Sequence, residues 1–180
     1  SVAVVDSQTD LLLEVNEAAQ ARGIAPGQTG PQAMARDGRI LLLPPSAAQE
    51  ECLNHLLVDR AMGLAPEVEH AAPGAALADL SRAARSLCWQ QLADGLVAQF
   101  RAEDLCLQVG VAATPDLALL AAQGARPSAI VYEASAYVAP LPISALEPSE
   151  QVRQILRDWG VATVGDFLRL PRAGVVERLG

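Results

Sequence analysis

The chain has 180 residues, 51% hydrophobic and 19% charged, enough to bury one substantial core with a satellite subdomain. No apolar run approaches the ~20 residues of a membrane span, and the start SVAVVDSQTD lacks the basic flank of a signal peptide, so a cytosolic chain that spans no membrane is expected. The net charge of −8 argues against a broad duplex-binding surface, because counterion release needs clustered cations.

The charge is uneven along the chain. From residue 148 onward five arginines (Arg153, Arg157, Arg169, Arg172, Arg178) face four acids (Glu150, Asp158, Asp166, Glu177), so that end is +1 and residues 1–147 carry −9. All 13 basic residues are arginine, which excludes a lysine phosphate clamp and Schiff-base chemistry. Cys52, Cys88 and Cys106 sit singly in apolar patterns, with no pair at zinc spacing; free cysteine buries readily, and all three are expected as core filler.

In chain order, VAVV and LLLEV flank the turn-rich DSQTD and predict a β-hairpin. Asn16–Arg22 predicts a brief helix, Gly23–Gly30 a loop rich in Gly and Pro, Pro31–Arg36 a weak helix, and Ile40–Leu43 a strand. A longer helix is expected over Ser46–Gly63, with Leu53, Leu56, Leu57 and Met62 near helical spacing. Strands are expected at Pro66–Ala71 and Ala75–Leu80, joined by a Pro73-Gly74 turn. A helix over Ser81–Phe100 should feed a strand at Leu105–Ala112, then a helix at Thr114–Gln123 opened by Pro115, then strand pieces AIVY and AYVAP. The order is that of an α+β layer of the ferredoxin-like kind, with the strands near 75–80 and 105–112 adjacent in one sheet.

The C-terminal run closes this order with strong punctuation. Pro148 suits the first turn of a helix, Gly160 its left-handed end, and Thr163 with Asp166 the cap of the next. Helix, tight glycine turn, helix is the layout of a helix-hairpin-helix element, which offers backbone amides and a positive helix end to a phosphate. The DNA-contacting candidates are Gly160, Val161, Thr163, Gly165, Arg169 and Arg172; the plain alternative is a helical bundle that binds nothing.

The ordered segments NEAAQARGIAPGQT, ILLLPP, GAALADLS, LQVGVAATPDLALLAA, YVAPLPISAL and GVATVGDFLRLPRAGVVERLG resemble the Y-family DNA polymerases, and most closely their ImuB-like branch. Asn16, Ala19, Gly23, Ile24 and Gly27 match the fingers pattern, Gln28 standing where methionine is usual. Gly110, Ala112 and Ala118 match a palm stretch, and Leu141, Pro142, Gly160, Thr163, Gly165 and Leu168 match the thumb. The resemblance implies an α+β fold of ferredoxin-like palm, small fingers insertion and helical thumb. Residues 1–64 would be fingers and adjoining palm, 65–140 palm, and 141–180 thumb with the helix-hairpin-helix-like element. The first palm strand and the DNA-gripping little finger are expected to lie outside these residues.

Phosphoryl transfer in that family uses carboxylates that hold two Mg²⁺ ions. One comes from the first palm strand and an Asp-Glu pair from the palm hairpin. Aligning Ala78-Asp79-Leu80-Ser81 with the family's L-D-[VLI]-T step puts that pair on Gly74 and Ala75, neither of which ligates a metal. Asp79 is the lone carboxylate nearby and reads better as a cap for the following helix than as a ligand. Leu119 stands where a lysine is common. The resemblance therefore implies no catalytic residue, no metal site and no cofactor. It implies a non-catalytic adaptor in DNA repair, the DNA damage response and error-prone translesion synthesis, in the bacterial cytoplasm and associated with the nucleoid. Its partners would be the sliding clamp, an error-prone replicative-type polymerase and, weakly, DNA. The alternative is an active Mg-dependent polymerase whose carboxylates lie outside this fragment.

The remaining candidates read as structural. His55 and His70 lack Cys or carboxylate partners at ligand spacing. Glu67 and Glu69 alternate into water along a strand edge. Trp89 and Trp159 lie in helical patterns and suit packing better than base stacking, since stacking surfaces combine aromatics with a basic groove. GIAPGQT lacks the Gly-Lys-Ser/Thr of a P-loop.

Overall fold

The computed structural model describes residues 1–83 and 87–179, with the side chains of 177 and 179 left aside. The fold is mixed α+β and forms two compact units, Ser1–Leu57 and Val58–Gly180. The boundary between them falls within the long helix α3, Ala47–Met62.

In the first unit β1 (Val2–Val5) is central, antiparallel to β2 (Leu12–Val15) and parallel to β3 (Leu41–Leu43). The hairpin between β1 and β2 is closed by Asp6, whose carboxylate accepts from the Gln8 amide (2.9 Å) and the Thr9 hydroxyl (2.7 Å). Those bonds, the Gln8 amide first, hold its pKa below the ordinary carboxylate value. Helix α1 (Glu17–Gln20) is capped by Asn16, and Gly23, at φ +74, supplies the left-handed residue that turns the chain out of it. A capping box of Thr29 and Gln32 starts α2 (Gly30–Arg36), with Pro31 in its first turn. One face of the sheet buries Ala3 and Leu12 against Ala19, Ile24 and Ala33, so the core is built largely from alanine and depends on close backbone approach. Arg22 bridges Asp37 and the Ser1 hydroxyl, fixing the end of β1 to the segment after α2.

In the second unit β4 (Val68–Ala72) and β5 (Ala75–Ala78) form an antiparallel hairpin, while β6 (Val109–Val111) and β7 (Ser128–Ile130) pair in parallel. The crossover between β6 and β7 is α5 (Pro115–Gly124), which with α4 (Trp89–Ala102) packs on that pair. The approach is tight at Gly110: a Cβ there would lie 2.1 Å from the Ala118 carbonyl oxygen and 2.4 Å from the Ala122 nitrogen. Arg60 near the end of α3 pairs with Glu103 after α4 at 2.5 Å.

Several expectations are corrected. The strands near 75–80 and 105–112 lie in separate ladders, and what they share is the cover of α5, which packs on both β5 and β6. The second is also short, because residues 105–108 run outside the ladder. AYVAP is not strand: residues 136–138 lie in helix α6 (Ala134–Val138), whose start the Glu133 carboxylate caps through the Ser135 amide, and Ala139 follows as its C-cap. The helix expected from Ser81 starts at Trp89; residues 84–86 of that expectation lie outside the described residues. All three cysteines are exposed rather than core filler. Cys52 lies off the face of α3 that holds Asn54, Leu57, Val58 and Ala61, Cys88 is the residue before α4, and Cys106 lies in the segment leading to β6.

The C-terminal region is helical, with a 3-10 turn (Ile143–Leu146) before α7 (Glu150–Asp158), α8 (Val164–Leu168) and α9 (Arg172–Leu179). Ser149, not Pro148, adjoins the helix, and its hydroxyl accepts from the Val152 amide. Ile143, Leu156, Val161 and Val164 form a buried cluster flanked by Val138, Leu141, Trp159 and Phe167. Burying Leu156 alone contributes about 1.5–3 kcal/mol.

Candidate nucleic-acid interface

The hairpin that would carry the palm carboxylates has small, uncharged residues at its tip. Ala72 pairs with Ala75 across Pro73 and Gly74, and Gly74 stands at φ +76. Asp79, just past β5, is engaged by its own loop: its amide donates to the Glu67 carbonyl, and its Oδ1 accepts from the Ser81 amide at 2.8 Å. Hydrogen bonds from Ser81, backbone first and then hydroxyl, lower the Asp79 pKa, with a smaller contribution from Arg82. Asp79 therefore shapes the turn after β5 and does not reach the start of α4. Glu67 is paired with Arg82 at 3.6 Å, and Glu69, His55 and His70 are exposed. Among the described residues no three His, Cys, Asp or Glu side chains gather around a point where a metal ion could sit. The two Mg²⁺ ions that phosphoryl transfer in the resembled family uses do not fit this donor set, since each needs at least one or two carboxylates within about 2.0–2.1 Å. Leu119 is half-buried in α5, so no cation stands at that position either.

The turn between α7 and α8 has the local conformation its sequence suggests. Gly160 is left-handed at φ +72, and Thr163 and Asp166 form a reciprocal capping box at the start of α8. The six amides from Gly160 to Gly165 all have acceptors within the chain. Gly160 donates to Arg157, Val161 to Leu156, Val164 to Leu141 and Gly165 to Ala139, each at a carbonyl oxygen. Ala162 and Thr163 both donate to Asp166 Oδ2, at 3.3 and 3.0 Å. The Thr163 hydroxyl and then its amide lower the Asp166 pKa, so a carboxylate stands against the amides at the start of α8. Arg169 reaches Asp166 Oδ1 at 3.1 Å with its side chain 77% exposed, and Arg172 opens α9 on the surface. The Asp166 carboxylate thus gathers Ala162, Thr163 and Arg169, while the amides of Gly160, Val161 and Gly165 in the same turn are bonded to other carbonyls.

Sequence reasoning missed a shallow recess of about 350 Å³ lined by Ile155, Asp158, Trp159 and Arg178. The Arg178 guanidinium lies 5.8 Å from the Trp159 ring centre, a cation–π distance. The contact joins α7 to α9, and no local pattern announces a pair 19 residues apart in sequence.

Residues 1–123 match the profile of the impB/mucB/samB family (IMS). No curated protein sequence matches the chain. Among solved structures, DinB from Sulfolobus solfataricus is 18% identical with a TM-score of 0.78, and 99% of this chain covers 55% of it. An insertion ternary complex of Dbh DNA polymerase is 17% identical at a TM-score of 0.80, with 98% of this chain covering 55% of that one. A post-insertion binary complex of Dbh DNA polymerase is 19% identical at 0.79, with the same coverage. The chain therefore has the Y-family polymerase fold and spans about 55% of the length of these structures.

Proposed function

We propose, from the premise that the chain belongs to the impB/mucB/samB family, that it is a non-catalytic, ImuB-like adaptor acting in DNA damage tolerance and error-prone translesion synthesis. One observation carries this reading: the palm hairpin carries Gly74 and Ala75 at the positions that aligning Ala78-Asp79-Leu80-Ser81 with the family's L-D-[VLI]-T step gives to the carboxylate pair, and no group of ligating side chains replaces them among the described residues. In-line phosphoryl transfer without well-held divalent ions loses most of its electrostatic stabilisation. On this reading the chain needs no cofactor and serves as a surface for the sliding clamp and an error-prone replicative-type polymerase in the bacterial cytoplasm, near the nucleoid. DNA contact is weak and centred on Arg169 and Arg172; that the similar solved structures include an insertion ternary and a post-insertion binary complex of Dbh DNA polymerase supports a DNA-related role for the fold. Because the local amides are already bonded, guanidinium groups rather than backbone would meet the phosphates. Primer extension with Mg²⁺ and with Mn²⁺, run beside an Asp79→Ala control, tests the adaptor reading. No template-dependent synthesis is expected, and synthesis that the control abolishes would overturn it.

A second reading, an active Mg-dependent polymerase whose carboxylates come from outside residues 1–180, rests on one feature. β5 and β6 belong to separate ladders under a shared helix, so each has an edge on which a further strand could pair.

A further inference from the structure

We infer that the palm cation position is closed in the backbone as well as in the side chains, so that carboxylates restored at positions 74 and 75 do not rebuild it and Asp79 cannot join them. This rests on the adaptor reading only for the identification of Gly74 and Ala75 as the former ligand positions. Pro73 has its φ fixed near −65° by its ring, and Gly74 follows at φ +76. A negative φ followed by a positive one is the type II turn, whose second central residue favours glycine. Such a turn matches the twist of a two-residue hairpin poorly. The mismatch is taken up next door, where the register slips between His70 and Ala72 so that Ala71 is an extra residue in β4. Turn and bulge form one unit, and proline holds it.

The consequences for ligation are geometric. A Cβ at Gly74 meets nothing within 4 Å, so an aspartate there would have room, yet it would occupy a left-handed conformation and project from the hairpin tip into open space. A glutamate at position 75 would share its face of the strand with Leu77 and Asp79 by period-two alternation. At about 3.3 Å per residue, Asp79 lies roughly 13 Å from position 75. One ion held at about 2.0–2.6 Å from each oxygen cannot be shared over that span. Asp79 is also tied to the Ser81 amide.

The test is Mn²⁺ titration, followed by the electron paramagnetic resonance of free Mn²⁺, on the native chain and on Gly74→Asp/Ala75→Glu, with thermal melts of Gly74→Ala beside them. The expected result is superimposable titrations and a melting temperature lowered by a few degrees in Gly74→Ala. A saturable Mn²⁺ site gained by the double variant refutes the inference, as does an unchanged melt of Gly74→Ala. Should the double variant fail to fold, Ala75→Glu alone, which keeps the glycine turn, is titrated with the same two outcomes. Primer extension by the native chain would sink the adaptor reading and leave this inference standing, whereas a gained Mn²⁺ site would do the reverse.

Discussion

Gly110→Ala should destabilise the second unit. The added Cβ would stand 2.1 Å from the Ala118 carbonyl oxygen and 2.4 Å from the Ala122 nitrogen. Both are backbone atoms of α5, so no side-chain rotation relieves the clash, and only withdrawal of the helix from β6 does. Overpacking of this kind costs about 1–3 kcal/mol. For a chain of this size about 2–4 °C of melting temperature corresponds to 1 kcal/mol, so a fall of roughly 2–12 °C is expected. Gly95→Ala is the matched control: it lies inside α4, its Cβ would meet nothing within 4 Å, and glycine in a helix interior costs about 0.5–1 kcal/mol relative to alanine. That variant should melt slightly higher than the native chain. Circular dichroism melts of the three proteins decide the matter. A Gly110→Ala melt within about 1 °C of native, with Gly95→Ala behaving as expected, would show that β6 and α5 are not held at this distance.

Fluorescence anisotropy with a labelled primer-template should give a slope of log affinity against log salt of roughly −1 to −2 and a dissociation constant no tighter than about 10⁻⁴ to 10⁻⁶ M, since few phosphates are met; binding unchanged in Arg169→Ala/Arg172→Ala would place the contact elsewhere. Asp166→Asn should strengthen that binding at low salt by removing the competing charge from Ala162 and Thr163, and weaker binding would count against a phosphate site at this turn. Thr163→Ala, which removes the hydroxyl of the capping box, should cost about 1 kcal/mol in urea unfolding. Asp37, lowered to about 2 chiefly by the Ser1 hydroxyl, has a folded pKa below its unfolded value of 3.8. Its contribution is therefore present above pH 3.8 and lost as the pH falls towards about 2. Asp37→Asn should flatten the urea midpoint in that window, and an unchanged profile would remove Asp37 as its source.

What was legible in the sequence is what local chemistry decides. The capping box at Thr163 and Asp166, the left-handed Gly160, Pro115 at the start of α5 and the Pro73-Gly74 turn each depend on residues within about four positions, and each is present. Pairing between strands was not legible in the same way. Hydrophobic alternation at 75–80 and 105–112 says which faces are half-buried, but the bonding partners are set by what lies between them, and α5 covers both without joining them. AYVAP has the composition of a strand, yet its first three residues close helix α6, whose N-terminus Glu133 caps from outside that stretch. At the thumb the missing information was distance in sequence. The acceptors that occupy the Val164 and Gly165 amides, Leu141 and Ala139, lie more than 20 residues upstream, so the motif names the amides without saying that they are taken.

That last point bears on how such a chain would reach its place of work. A phosphate held by a row of free amides is fixed in direction and register, whereas one held by exposed guanidinium groups is held mainly by charge. With the amides from Gly160 to Gly165 bonded internally, Arg169 already shared with Asp166, and residues 1–147 carrying −9, the favourable charge is small and local. Salt at physiological strength screens it over about 8 Å. On the adaptor reading, the chain is therefore not positioned by its own hold on DNA. It gains residence there when another protein that does grip DNA binds it, because tethering converts a weak contact into an intramolecular one at high effective concentration. The packing of β6 on α5, tight enough that one methyl group at Gly110 would displace the helix, then offers a rigid surface for that protein.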